Sequence, residues 1–125
     1  MENQKSLVAL EDDLFFTGKI DNAASQLGYR LEVARDAQGL ARRVEENRPD
    51  LVILDLSMED VDWGETIRGL KSSSPETPIV AFGPHTEETL LSAASASGCD
   101  AVLTKGEFSS ELANLIRKYG GDPAR

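Results

Sequence analysis

Five short apolar runs alternate along the chain with stretches whose apolar residues recur every three or four positions, and this alternation restricts the fold more than any other feature. The runs are Leu7–Leu10, Leu31–Ala34, Leu51–Leu54, Pro78–Phe82 and Ala101–Thr104, each of strand length. After the first, Phe16, Ile20, Ala23 and Leu27 share one helical face that Gly28 ends. Asp36 can cap a second helix with Ala37, Leu40, Ala41 and Val44 inward, closed off by Pro49. Trp63, Ile67 and Leu70 mark a shorter third helix, with Trp63 read as a core anchor. Thr86 reads as the cap of a fourth helix that contains Leu90, Leu91 and Ala94 and stops at Gly98. Phe108, Leu112, Leu115, Ile116 and Tyr119 line a fifth, which Gly120-Gly121 ends. Strands and helices in strict alternation imply right-handed crossovers and a parallel sheet covered on both faces. The expected class is therefore α/β, a doubly wound five-stranded parallel sheet with five helices.

The third run, Leu51-Val52-Ile53-Leu54, shows no polar alternation and leads straight into Asp55, as a strand buried on both faces would. The second keeps a polar position, Glu32, which suits a sheet edge. Strand order 2-1-3-4-5, the flavodoxin-like topology, puts that run at an edge and the switch point between strands one and three. Ligands of open parallel sheets bind at the carboxyl ends of the strands. Here those ends carry Glu11-Asp12-Asp13, Asp55 and Lys105.

A length of 125 residues suits one domain, with a core from about residue 5 to 119 and a tail or linker over 120–125. Thirteen basic against twenty-two acidic residues give a net charge of −9, which argues against binding to a phosphate backbone. No apolar run approaches the roughly 18 to 20 residues needed to span a bilayer. The polar segment Met1–Ser6 leads directly into a strand and reads as no signal peptide. The single cysteine, Cys99, excludes an internal disulfide and a multi-cysteine metal site, and a cytoplasmic location is expected.

Several carboxylates at one sheet edge repel one another, each like pair costing about 4 kcal/mol at about 4 Å and an effective dielectric of about 20. One lysine offsets part of that. A hard divalent cation with oxygen ligands offsets more, and Mg²⁺ typically takes one or two carboxylates plus waters. A cation and Lys105 could together gather the oxygens of a phosphoryl group, leaving a carboxylate free to attack phosphorus and form an aspartyl phosphate. Singly, these residues have ordinary explanations: a turn aspartate, a solvated helix start, a surface lysine. Their joint placement after strands one, three and five points to a Mg²⁺-dependent phosphoaspartate site.

The residues Leu10-Glu11-Asp12, Leu54-Asp55-Leu56-Ser57-Met58 and Leu103-Thr104-Lys105 give the chain a resemblance to the receiver domain of bacterial two-component response regulators, over about residues 5 to 119. The resemblance implies that Asp55 accepts a phosphoryl group from a histidine kinase, a phosphotransfer protein or a small phosphodonor, and that Lys105 pairs with a phosphoryl oxygen. It implies Mg²⁺ (or Mn²⁺) held by Asp12, Asp55 and the Ser57 backbone carbonyl, with Glu11 acting through metal-bound water. The chain departs from the family at three places. Gly83 stands where a Thr or Ser hydroxyl usually senses the phosphoryl group, Val102 replaces the strand-five aromatic, and Gly106 replaces the proline after the lysine. His85 lies where the family tunes phosphoryl lifetime together with Ser57; a plain loop histidine is the simpler explanation.

The expected function is a phosphorylatable receiver that signals through protein contacts by a non-standard switch, not an enzyme beyond self-catalysed phosphoryl acceptance and autodephosphorylation. The alternative is a pseudo-receiver that works as an interaction module without phosphorylation. Homodimerisation through the helix-four face is left open, and no direct nucleic-acid or membrane contact is expected. An FMN protein of similar architecture would need a hydroxyl-rich phosphate loop in place of Glu11-Asp12-Asp13. A dehalogenase-type phosphatase would need a second acid where Asp55-Leu56-Ser57 has serine.

Overall fold

The computed structural model describes residues 4–122. Its elements run β1 (Ser6–Leu10), α1 (Leu14–Gln26), β2 (Arg30–Ala34), α2 (Ala37–Asn47), β3 (Leu51–Asp55), α3 (Trp63–Ser73), β4 (Ile79–Gly83), α4 (Glu88–Ser97), β5 (Ala101–Thr104) and α5 (Lys105–Leu115), with a π-helical turn over Ile116–Gly120. All strand pairs are parallel, and the order is β2-β1-β3-β4-β5, as the sequence predicts.

Parallel strands covered on both faces need apolar side chains on both, and β1, β3 and β4 are buried along their whole length. The alternation of side chains then divides the core in two. Val8, Leu10, Val52 and Leu54 pack with Leu40, Val44, Trp63 and Ile67 of α2 and α3. Leu7, Ala9, Leu51 and Ile53 pack on the other face with Phe16, Ile20, Phe108 and Leu112 of α1 and α5. By the same parity Glu11 and Asp55, two residues beyond Ala9 and Ile53, belong to the α1/α5 side of the sheet.

Short acids fix the ends of the elements. Asp13, Asp36 and Asp62 cap α1, α2 and α3 by accepting from Phe15, Gly39 and Glu65 amides. Gly28, with φ 79°, takes the left-handed conformation just past α1, where a side chain would be strained. At the amino edge of the sheet, Asp50 accepts from the Ser6 amide at 2.9 Å and Asp100 from the Ile79 amide at 2.7 Å. Each acid sits one residue before its own strand and ties down the first amide of another strand. Asp100→Ala should therefore destabilise the domain by about 1–2 kcal/mol, the scale of a charge-assisted hydrogen bond; urea titration checks this, and an unchanged midpoint would show that the contact holds nothing.

Three expectations need correction. Ala41 is exposed, while Gly39 is buried against the core, because the inward stripe of α2 is narrower than four residues suggest. Thr86 does not cap α4: the Glu87 amide bonds back to the Pro84 carbonyl at 3.0 Å, so a turn occupies 84–87 and the helix begins at Glu88 without a side-chain cap. Lys105 follows β5 directly, as expected, and is the first residue of α5, whose start is fixed by a reciprocal pair of hydrogen bonds between Thr104 and Glu107. The start of the segment read as a tail is docked, since Gly120 is buried and the Tyr29 hydroxyl donates to the Gly121 carbonyl. The rest of that tail, 123–125, lies outside the described residues, as do residues 1–3 of the segment read as no signal peptide. Trp63 is buried, as expected.

Candidate functional site

Asp55 is the last residue of β3 and is 1% exposed, an unusual fate for a carboxylate. One oxygen, Oδ1, accepts from the Ser57 amide at 2.9 Å and from the Ser57 hydroxyl at 2.6 Å. The other, Oδ2, is buried with no partner. Glu11, just beyond β1, is also 1% exposed; its Oε2 accepts from the Asp13 amide at 3.1 Å, while Oε1 is buried and unpartnered. Burial first, then the neighbouring Asp55 carboxylate, push the Glu11 carboxyl up to about 9, against the lowering effect of the Asp13 amide. Two buried acids thus stand at one sheet edge, each with one oxygen unpartnered.

The remaining acids of the sequence cluster do not join them. Asp12 is exposed at the rim, and the Asp13 side chain is turned away to cap α1. Among the described residues no group of three or more His, Cys, Asp or Glu side chains forms a ready-made metal cage. The expected convergence of three or four carboxylates is therefore reduced to a buried pair with Asp12 at its mouth. That donor set still fits a hard divalent cation, since two unpartnered carboxylate oxygens with water completing the shell is an ordinary arrangement for Mg²⁺.

Lys105 is at the same sheet edge but forms no ion pair among the described residues. Its Nζ lies 5.2 Å from the centroid of the Phe16 ring instead. Gly83 ends β4, opposite Thr104 in register. A Cβ there would come to 3.3 Å from both Leu56 Cβ and Leu91 Cδ2, so a larger side chain would need these neighbours to give by a few tenths of an ångström. Val102 is half-buried and packs on the α2/α3 side of the core. His85 is exposed. A groove of about 360 Å³ opens beside Ser57, lined also by Met58, Val61, Trp63, Pro84 and Leu90.

Two features are not evident from the spacing of residues: the Ser57 hydroxyl on Asp55 and the Phe16 ring under Lys105. Strand parity could have revealed that Glu11 rather than Asp12 is the buried partner, because residues 7, 9 and 11 share a side with 51, 53 and 55.

Comparisons with known proteins bear on the fold and the family. Response regulator MprA of Mycobacterium leprae is 29% identical over 111 residues, covering 89% of this chain and 49% of that protein. The chain thus spans about half the length of this relative. The receiver domain of sensor histidine kinase PA1611 from Pseudomonas aeruginosa, with a magnesium ion coordinated in its active site cleft, superposes with a TM-score of 0.81 at 20% identity, covering 96% of this chain and 100% of that one. Chemotaxis response regulator CheY4 of Vibrio cholerae superposes at 0.80 with 19% identity, covering 94% and 99%. At these identities the superpositions speak for the fold. The profile of the response regulator receiver domain matches residues 7–117, from β1 through the last helix and across every strand that supplies the acidic edge. With that match over nearly the whole length, this chain belongs to the response regulator receiver domain family of two-component signalling.

Proposed function

We propose that this receiver accepts a phosphoryl group on Asp55 and signals through protein contacts by a switch that does without the strand-four hydroxyl. The observation that carries the proposal is the asymmetry of the buried Asp55 carboxylate, with Oδ1 held by two Ser57 donors and Oδ2 unpartnered beside a second buried acid. Ser57 fixes the carboxylate plane, so Oδ2 is the oxygen left to attack. A bond from Oδ2 to phosphorus forms as the bond from phosphorus to the donor's nitrogen or oxygen breaks, and the electron pair leaves with the donor. The phosphodonor would be a histidine kinase, a phosphotransfer protein or a small acyl phosphate.

Glu11 and Asp55, with Asp12 at the rim and the Ser57 carbonyl, would hold Mg²⁺ or Mn²⁺, which when bound supplies positive charge to the phosphoryl oxygens. Glu11 acts there directly or through water, and its buried carboxylate gives up its proton in the exchange. Lys105, the first residue of α5, brings a second positive charge to the same edge. His85, exposed beyond Gly83, and Ser57 flank the mouth and would set how readily water reaches the acyl phosphate. Since Gly83 has no side chain to report the phosphoryl group, the groups whose contacts would change on phosphorylation are Ser57 and Lys105.

Incubation with acetyl phosphate and Mg²⁺, followed by intact-mass spectrometry, should show one added phosphoryl group on the wild type and none on Asp55→Asn. A wild type that stays as unmodified as the variant, and whose Asp55 and Ser57 amide signals ignore beryllofluoride with Mg²⁺, would overturn the proposal. That result would favour an interaction module working without phosphorylation, the reading to which the missing side chain at Gly83 lends support.

A further inference from the structure

We infer that Phe16 is a positioning residue for Lys105: its ring holds the ammonium group beside the buried carboxylate pair in the resting domain and releases it when an anion arrives at Asp55. The inference rests on Asp55 as the phosphoryl acceptor.

Both ends of the Phe16–Lys105 contact are fixed by their surroundings. Phe16 is 9% exposed and packs on Phe82, ring centroids 5.2 Å apart, with Phe108 at 6.5 Å. Phe82 and Phe108 are themselves stacked at 3.9 Å, so the three rings form one block beneath the acidic edge. Lys105 leaves α5 at its first residue, where the Thr104–Glu107 pair holds the backbone. Strand parity puts Glu11 and Asp55 on this same side of the sheet, the side of α1 and α5. The ammonium at this edge makes no ion pair with either acid among the described residues, and its Nζ is on the ring, 5.2 Å from the centroid.

A cation over an aromatic face at a partly exposed site gains a preference of about two- to five-fold over the same position without the ring. That preference is small enough for a phosphoryl group, which carries more than one negative charge, to override it. An ammonium and a divalent cation compete for the same oxygens, so a bias of the ammonium toward the ring favours the cation by the same factor. Phe16 would therefore keep the site receptive to metal while storing the lysine one side-chain swing away.

The test uses the whole chain and four variants, one of them double. In NMR spectra of the unliganded wild type, the Lys105 side-chain methylene protons should be shifted upfield by the Phe16 ring current, and beryllofluoride with Mg²⁺ should remove that shift. Phe16→Leu should lose the shift without ligand and bind Mg²⁺ about two- to five-fold more weakly by calorimetry. Phe16→Tyr, which keeps the ring face, should match wild type on both measures. In a Lys105→Met background, Phe16→Leu should leave Mg²⁺ affinity unchanged, since no ammonium remains to compete. The inference is overturned if beryllofluoride moves the Asp55 and Ser57 amides while the Lys105 methylenes stay put, or if Phe16→Leu weakens Mg²⁺ binding equally with and without Lys105. If beryllofluoride moves nothing at Asp55, the acceptor assignment fails instead, and the resting ring-current shift and the Mg²⁺ cycle still decide whether Phe16 positions Lys105.

Discussion

Phe82→Ala should destabilise the domain by about 3–5 kcal/mol, the range for truncating a buried aromatic and leaving a cavity behind. Phe82 is 0% exposed in β4, a strand flanked on both sides by other strands, and it pairs in register with Asp55. Its ring is stacked on Phe108 at 3.9 Å with an interplanar angle of 7° and is tilted against Phe16 at 5.2 Å. A central strand cannot move to close the gap without carrying its two neighbours along, so relaxation is limited. Domains of this size are stable by only about 5–15 kcal/mol, so the loss takes a large share of the total. Urea unfolding followed by Trp63 fluorescence should show the midpoint falling with the slope unchanged. A loss below about 1 kcal/mol would mean that the aromatic block is loosely packed, and the fixed Phe16 ring beneath Lys105 would lose its support with it.

In the absence of divalent cation the domain should become less stable as pH rises from about 4.5 toward about 9, the ordinary and native positions of the Glu11 carboxyl. The native state holds a proton on Glu11 through this window and the unfolded chain does not, so the unfolded state binds fewer protons and stability falls with rising pH. This contribution is fully present below about 4.5 and is lost as pH passes the raised value. Even one unit of upward displacement corresponds to about 1.4 kcal/mol. Glu11→Gln keeps the shape without the titrating proton and should flatten the dependence, as should saturating Mg²⁺, which replaces the proton as the source of positive charge. Thermal denaturation across the pH range, with and without Mg²⁺, measures both. A wild-type profile that matches Glu11→Gln would remove Glu11 from the pair.

Much of the fold is legible in the sequence because strands buried on both faces leave unbroken apolar runs, and Leu51 to Leu54 could hardly be anything else. Capping by Asp36 is equally local, depending on one side chain reaching an amide three residues on. The start of α4 is not local in that sense: Thr86 has the right chemistry, but the turn from Pro84 to Glu87 consumes the position first. The site is legible to the extent that strand ends are. Glu11, Asp55 and Lys105 arrive at one edge as topology requires, and Asp12 does not turn inward with them. The contact of Phe16 with Lys105 depends on how α1 and α5 lie against each other, a matter of packing between segments near opposite ends of the chain, for which no spacing rule exists.

The Leu91 side chain beside Gly83 bears on what a larger residue at that position would meet. A Cβ at 83 would stand 3.3 Å from Leu91 Cδ2 and from Leu56 Cβ, so these neighbours would have to give by a few tenths of an ångström. Leu91 belongs to α4 and is only partly buried, so the adjustment falls first on a side chain of that helix. The size of residue 83 and the seating of α4 on the sheet are thus coupled through one leucine.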